Sequence, residues 1–195
     1  MAGLAFDHLV IATEDLSEGE AFLSGVLKTA AQGGGKHGFM GTHNRLWRLG
    51  VDEYIELIAI DPGADAPAYP RWFGLDSFSG APRLVAWVCS TERLNAPKGS
   101  TIMDAARGDL RWRITIPESG VSERDGLSPL LIDWQGGPHP ARSMEDRGAR
   151  LLGLDLTHPQ PPKLNNMNDP RIKLTRGEAP GLVAHISTPQ GKVTL

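Results

Sequence analysis

Glu56 is the residue best placed to do chemistry, because it is the lone carboxylate in the otherwise apolar run YIELIAI at 54–60. Burying an ionised carboxylate without a partner costs several kcal/mol, on the order of what keeps a small domain folded. Glu56 is therefore expected to be paired with a cation, bound to a metal, protonated, or facing a water-filled cavity. His8, in AFDHLVIA, shares a strand face with Phe6 and Val10, while Asp7, Leu9 and Ile11 take the other. The stretch 42–49 alternates as well, with His43, Arg45, Trp47 and Leu49 on one face and Asn44, Leu46 and Arg48 on the other. His139 is held rigidly between Pro138 and Pro140.

Each of these residues also has a purely structural reading. His8 reads equally as a core histidine bonded to backbone. His43 and Asn44 open a strand after Gly41, where side chains cap turns. Glu56 reads alternatively as the partner of Arg45 or Arg48 across the hairpin. Trp72 and Phe73, in the polar loop Arg71-Trp72-Phe73-Gly74, either pin that loop to the body or wall a pocket. Trp87 and Trp134 are further candidates for such a wall.

The elements that must position these groups follow from periodicity. A strand at 5–12 leads to Asp15 and Glu18, a helix-capping pair, and to an apolar stripe of Leu16, Phe22, Leu23, Val26 and Leu27. Gly33-Gly34-Gly35 stops the helix, and a third strand is expected near 36–41. The first sixty residues thus read strand, helix, strand, strand, strand. Prolines and glycines between 61 and 82 leave no room for a long regular element. Strands at 84–89, 110–116 and 130–134, with a short helix at 91–96, repeat the opening pattern. Beyond a rigid turn at 136–140, a strand at 151–157 and a hairpin around Pro189-Gln190-Gly191 complete the chain. The expected organisation is a first βαβββ module at 1–60, a crossover linker at 61–81, a second module at 82–134, and a C-terminal strand and hairpin extension at 135–195 packed on the same body.

Composition narrows the partners. The 195 residues are 40% hydrophobic and 22% charged, with a net charge of −3 and no cluster of lysines and arginines. Neither nucleic acid nor an anionic membrane is favoured, and a small molecule is the expected partner. The single cysteine, Cys89, excludes an internal disulfide and suits a reducing compartment. Asp7 and His8 interrupt the N-terminus where a signal peptide needs an apolar core, and no run reaches membrane-spanning length. A cytoplasmic location is expected.

FDHLVIATEDL, GGGKHGFMGTHN and YIELIAIDP, in this order of elements, resemble the glyoxalase-like branch of the vicinal oxygen chelate superfamily. RLVAWV and LLIDWQGGPHPA carry the resemblance into the second half. It implies an α+β fold in which paired βαβββ modules form curved mixed sheets around a cleft, with an extra C-terminal strand segment. It also implies a divalent metal (Zn, Fe, Mn or Ni) held by one residue from the first strand and one from the last strand of each module. His8 and Glu56 occupy those places in the first module. In the second, Ala86 or its neighbours Val85 and Trp87 stand at one, and Leu131, Ile132 or Asp133 at the other. His43 or His139 would complete a set of two histidines and one carboxylate. A His8–His43–Glu56 site would leave positions for a bidentate oxygen substrate, with Glu56 and His43 as catalytic groups. Asn44, Arg45, Trp72, Phe73, Trp134 and His139 would contact the ligand. The implied activity is that of a metal-dependent lyase, isomerase or dioxygenase. The missing second-module ligands imply instead a metal-free small-molecule binder of the resistance type. The superfamily's habit of assembly implies a homodimer.

Overall fold

The computed structural model describes residues 3–195. The chain begins with β1 (Ala5–Ala12), α1 (Leu16–Leu27), β2 (Gly33–His37), β3 (Thr42–Arg48) and β4 (Tyr54–Ile60). The Asp15 carboxylate caps α1 by accepting from the backbone N–H groups of Ser17 and Glu18. Lys28 closes it in the left-handed region at φ 55°, its N–H donating to the Ser24 carbonyl. Leu16, Leu23 and Leu27 form the buried stripe of α1, whereas Phe22 is 47% exposed because it lies off that line. The strand expected near 36–41 is β2, which begins earlier, at Gly33, so the three glycines lie within a strand.

The second half supplies β5 (Arg83–Ser90), β6 (Ser100–Arg107), β7 (Leu110–Pro117) and β8 (Leu130–Asp133). All eight strands form one sheet in the order β2-β3-β4-β1-β5-β8-β7-β6. Read outward from the centre, the two halves have the same order. β1 is parallel to β4 and β5 to β8, while β1 and β5 meet antiparallel at the join. The sheet curls into a half-barrel, and its edge strands β2 and β6 come into contact. The expected helix at 91–96 does not form. Six residues ahead of Pro97 are too few to nucleate one without a packing partner.

A second sheet covers the outer face. β9 (Arg150–His158), β10 (Ile172–Arg176), β11 (Gly181–Thr188) and β12 (Gly191–Thr194) are ordered β10-β9-β11-β12. Its Leu151, Leu154, Leu156, Ala184 and Ile186 join Leu9, Ile11, Trp87 and the leucines of α1 in one core. β10 carries only one partly buried apolar residue packed on this core, Ile172, which explains why periodicity did not reveal it. The inner face has its own core of Val10, Ile58, Ala86, Val88, Ile114 and Ile132, over which Met40, Trp72, Phe73 and Leu75 close. Trp72 and Phe73 come from the segment joining the halves, which contains a kinked 3-10 stretch at Trp72–Ser77. Among the described residues no helix is long and apolar enough to cross a membrane.

Two glycines make opposite demands. At Gly34 (φ 141°) a Cβ would collide with the Asn44 carbonyl oxygen across the β2–β3 pair. Gly25, on α1, has nothing within 4 Å of that position. Gly34→Ala is expected to destabilise the protein by about 1–3 kcal/mol, and Gly25→Ala to stabilise it by roughly 0.5–1 kcal/mol. Urea unfolding of both variants checks this, and a neutral Gly34→Ala would refute the close approach of β2 and β3.

Candidate functional site

Parallel pairing of β1 and β4 sets His8 opposite Tyr54 and Val10 opposite Glu56, so His8, Tyr54 and Glu56 all face the inner side. The His8 and Tyr54 rings stack with centroids 4.3 Å apart. His8 Nε2 lies 3.6 Å from Glu56 Oε2, and Asn44 Nδ2 donates to Glu56 Oε1 at 2.5 Å. On its other side His8 Nδ1 meets Asp7 Oδ1 at 2.7 Å. Strict alternation would put Asp7 on the opposite face. The β1–β5 register slips between Phe6 and His8, leaving Asp7 as an extra residue, and such a bulge re-aims its side chain. Trp134 Nε1 donates to Asp7 Oδ2 at 2.9 Å, and His139 Nε2 lies 3.5 Å from Asp7 Oδ1.

This row of buried groups is held together by charge. Burial by itself would raise both carboxyl groups, but hydrogen bonds and attraction from histidine outweigh it. Glu56 is brought to about 2 by His8, with His37 and Asn44 adding to the effect. Asp7 is brought to about 2 by His139 and His8. Burial opposes the His8 cation, yet Asp7 and Glu56 on either side raise its pKa above the ordinary value. The resting arrangement is therefore a carboxylate, an imidazolium and a carboxylate in line.

The opposite wall comes from the far edge of the sheet. Arg107, at the end of β6, donates from Nη1 to Asn44 Oδ1 at 2.8 Å and lies 3.3 Å from His37 Nε2. A Cβ at Gly35 would stand 2.8 Å from Arg107 Cδ, so the bare β2 backbone leaves the path for this side chain. Burial lowers His37 to about 4, and the nearby Arg107 charge helps override the pull of Glu56. His37 is thus neutral at pH 7. Trp72, Phe73, Trp112 and Trp134 complete the cleft with Ile114 and Ile132. The Trp72 indole N–H is buried there with no acceptor among the described residues.

The structure does not bring all the sequence candidates to this point. His43 and Arg45 lie on the outer face of β3, opposite Asn44, because strand side chains alternate. Arg45 pairs with Glu20 of α1 at 2.7 Å. His43 sits near Asp61 and Lys36. The His8–His43–Glu56 set therefore does not assemble, and His43 is not in place to act on a substrate in the cleft. Neither Arg45 nor Arg48 is the partner of Glu56, since Arg48 donates to the carbonyls of Gly50 and Met144. Trp87 packs in the outer core and donates to the Leu127 carbonyl, away from the cleft. Asn44, Trp72, Phe73 and Trp134 line the site, and His139 stands behind it against Asp7. Asp7, His37, Tyr54, Arg107 and Trp112 were not singled out beforehand. The three consecutive glycines of β2 were the one local sign that another side chain crosses there.

The donors present do not match a divalent-metal centre. Among the described residues no three His, Cys, Asp or Glu side chains gather around a point. Inward positions of β5 and β8 are Ala86, Val88, Leu130 and Ile132, all apolar. Asp133 is bound to Arg113 at 2.5 Å. His8 and Glu56 would offer two donors where three or four protein ligands are usual, and the Arg107 cation stands close by.

The glyoxalase-like domain family model matches residues 6–169. No curated protein sequence matches the chain. Among solved structures, a hypothetical protein from Staphylococcus aureus superposes with a TM-score of 0.60 at 12% identity, covering 96% of this chain and 92% of that one. A Streptomyces coelicolor methylmalonyl-CoA epimerase variant in complex with 2-nitronate-propionyl-CoA gives 0.45 at 16% identity, over 67% of this chain and 96% of that one. A methylmalonyl-CoA epimerase from Mycobacterium tuberculosis gives 0.43 at 21%, over 67% and 85%.

Stability should follow these titrations. His8 has a raised folded pKa, so its contribution is complete below its ordinary 6.5 and lost as pH climbs through the raised value. His37 is depressed to about 4, so its contribution is complete above 6.5 and lost on the way down to 4. Glu56 and Asp7 contribute fully above their ordinary values of 4.5 and 3.8 and lose that contribution toward 2. The melting temperature is expected to peak near pH 6.5 and to fall on both sides, with a second acid loss between 4.5 and 2. Calorimetry across the range checks this. In Glu56→Gln the loss below pH 4.5 should shrink, and an unaltered acid limb would contradict the pairing.

Proposed function

Because the chain belongs to the glyoxalase-like domain family of the vicinal oxygen chelate superfamily, we propose that its inner face is a small-molecule cleft working by direct charge and hydrogen bonding. Members of that superfamily commonly use a divalent metal. The observation that carries the metal-free reading is the state of Glu56. One oxygen accepts from Asn44, the other faces charged His8, and the equivalent positions in the second half are apolar.

The electrostatics favour binding over proton abstraction. General bases work best with a pKa near the working pH. A carboxylate held at about 2 is far too weak for that task while His8 remains beside it. Glu56 and Asn44 instead present a fixed polar floor between aromatic walls, an arrangement typical of small-ligand pockets. This favours a ligand-binding protein of the resistance type over a lyase, isomerase or dioxygenase.

Entry requires the segment over the cleft to move. The enclosed space is about 20 Å³, room for roughly one water. Phe73 and Gly74 stand at φ 58° and 68° within the covering 3-10 segment. An aromatic residue in the left-handed region is strained by about 1–3 kcal/mol. Arg71 anchors the segment by donating to the Met40 carbonyl, and pairs with Asp76 within it.

The test is paired melting and binding on wild type, Glu56→Gln and His8→Ala, using a panel of small oxygen-bearing aromatic compounds. Compounds that raise the wild-type melting temperature should fail to raise it in either variant, with far-UV circular dichroism unchanged. The variants themselves should lose up to about 3–5 kcal/mol, because each leaves one member of a buried ion pair unmatched. Zinc, manganese, iron(II) or nickel added to chelator-treated protein should leave melting unaltered. Metal stabilisation that Glu56→Gln abolishes would replace this reading with a metal-dependent one. Loss of stability in variants of a protein that binds nothing would leave His8 and Glu56 as core residues.

A further inference from the structure

Arg107 and Trp72 are two hydrogen-bond donors whose partners are incomplete. Arg107 is partly buried and has no carboxylate partner among the described residues; its contacts are the neutral Asn44 amide oxygen and neutral His37. Trp72 is 2% exposed, and its indole N–H finds no acceptor among the described residues. Both border the same imidazole. The Trp72 ring meets His37 edge-on at 5.0 Å, and Arg107 Nη1 lies 3.3 Å from His37 Nε2. A buried unmatched N–H is costly, and a guanidinium fork matches the two oxygens of a carboxylate.

The surrounding charges fit an anion rather than a cation. Glu56, which lines the cleft, and Asp7, buried behind His8, are already shared with the His8 imidazolium, and Asp7 also accepts from Trp134. A cationic ligand would have to compete with that buried imidazolium. An anion at Arg107 would meet a guanidinium that lacks an anionic partner. The walls set the rest of the ligand: Trp72, Phe73, Trp112 and Trp134 offer ring faces and edges suited to a flat apolar body.

We propose that the cleft takes a small aromatic or similarly flat monocarboxylate, its anionic end received by Arg107 and the Trp72 indole N–H and its body lying among the aromatic walls. This rests on the small-molecule cleft reading and names its ligand class. Trp72 belongs to the covering segment, so the same side chain that closes the cleft also completes the anion's contacts.

Benzoate and its neutral isostere benzamide are the probes, titrated by calorimetry into wild type, Arg107→Gln and Trp72→Phe. Benzoate should bind wild type at least about tenfold more tightly than benzamide. Arg107→Gln should reduce benzoate to the benzamide level and leave benzamide unaltered. Trp72→Phe keeps the ring bulk, removes the donor, and should weaken benzoate severalfold while sparing benzamide. Melting curves confirm that each variant is folded, and either variant alone tests the assignment. Equal binding of both probes to wild type, abolished by Glu56→Gln, would overturn the carboxylate proposal while keeping the cleft. Benzoate affinity unaffected by both Arg107→Gln and Trp72→Phe would overturn the proposal as well. Binding of neither probe at millimolar concentration would overturn the proposal and count against the cleft reading itself.

Discussion

A negative charge buried at the centre of a β-sheet is the constraint on which this molecule's organisation depends. Glu56 lies on β4 beside the central strand β1, where water cannot solvate it, so its charge must be met from neighbouring strands. His8 meets it from β1 and Asn44 from β3, and Asp7, turned inward by a bulge, supports His8 from behind. Trp134 then fixes Asp7, and Arg107 fixes Asn44. Each link satisfies a group that burial would otherwise make costly, which ties four strands and a loop to one carboxylate.

The two halves of the sheet share a topology and divide the chemistry. The first half provides the acid and base groups. The second lines the corresponding positions with Ala86, Val88, Leu130 and Ile132, and contributes its polar reach from the outermost strand through Arg107. Closure of the half-barrel matters for that reason. Only when β2 and β6 approach each other can a guanidinium from one edge reach an amide near the other, and the glycines of β2 leave the space. The same asymmetry leaves apolar side chains where a four-donor centre would place ligands.

Outside the cleft, the missing second helix is made good by the C-terminal sheet. An apolar outer face on β5 must be covered, and Leu151, Leu154, Ala184 and Ile186 cover it beside the leucines of α1. The segment between the halves closes the other side of the sheet, over the inner core. Its strained residue Phe73 lines the cleft with the polar floor.

Much of this was legible in the residues themselves. Alternation and apolar runs located the strands that carry His8, Glu56 and Trp112, because a half-buried strand must alternate whatever its neighbours are. The Asp15 cap located α1. A lone carboxylate in YIELIAI announced a need for partners, since an unmatched charge there is too costly. Alternation also put His43 and Asn44 on opposite faces, but which face turns inward is decided by the strand pairing, and it selected Asn44. The helix expected at 91–96 failed because a six-residue propensity cannot outweigh the lack of a packing partner. Asp7 reached His8 only through a register slip between β1 and β5, and Arg107 reached Asn44 across 63 residues of sequence. The sequence by itself determined most of the strands, though not β6 or β10, together with α1 and the need for a partner to Glu56, because these are properties of neighbouring residues. The partners were decided by the tertiary structure, because contacts between strands far apart in sequence exist only once the sheet has curled and closed.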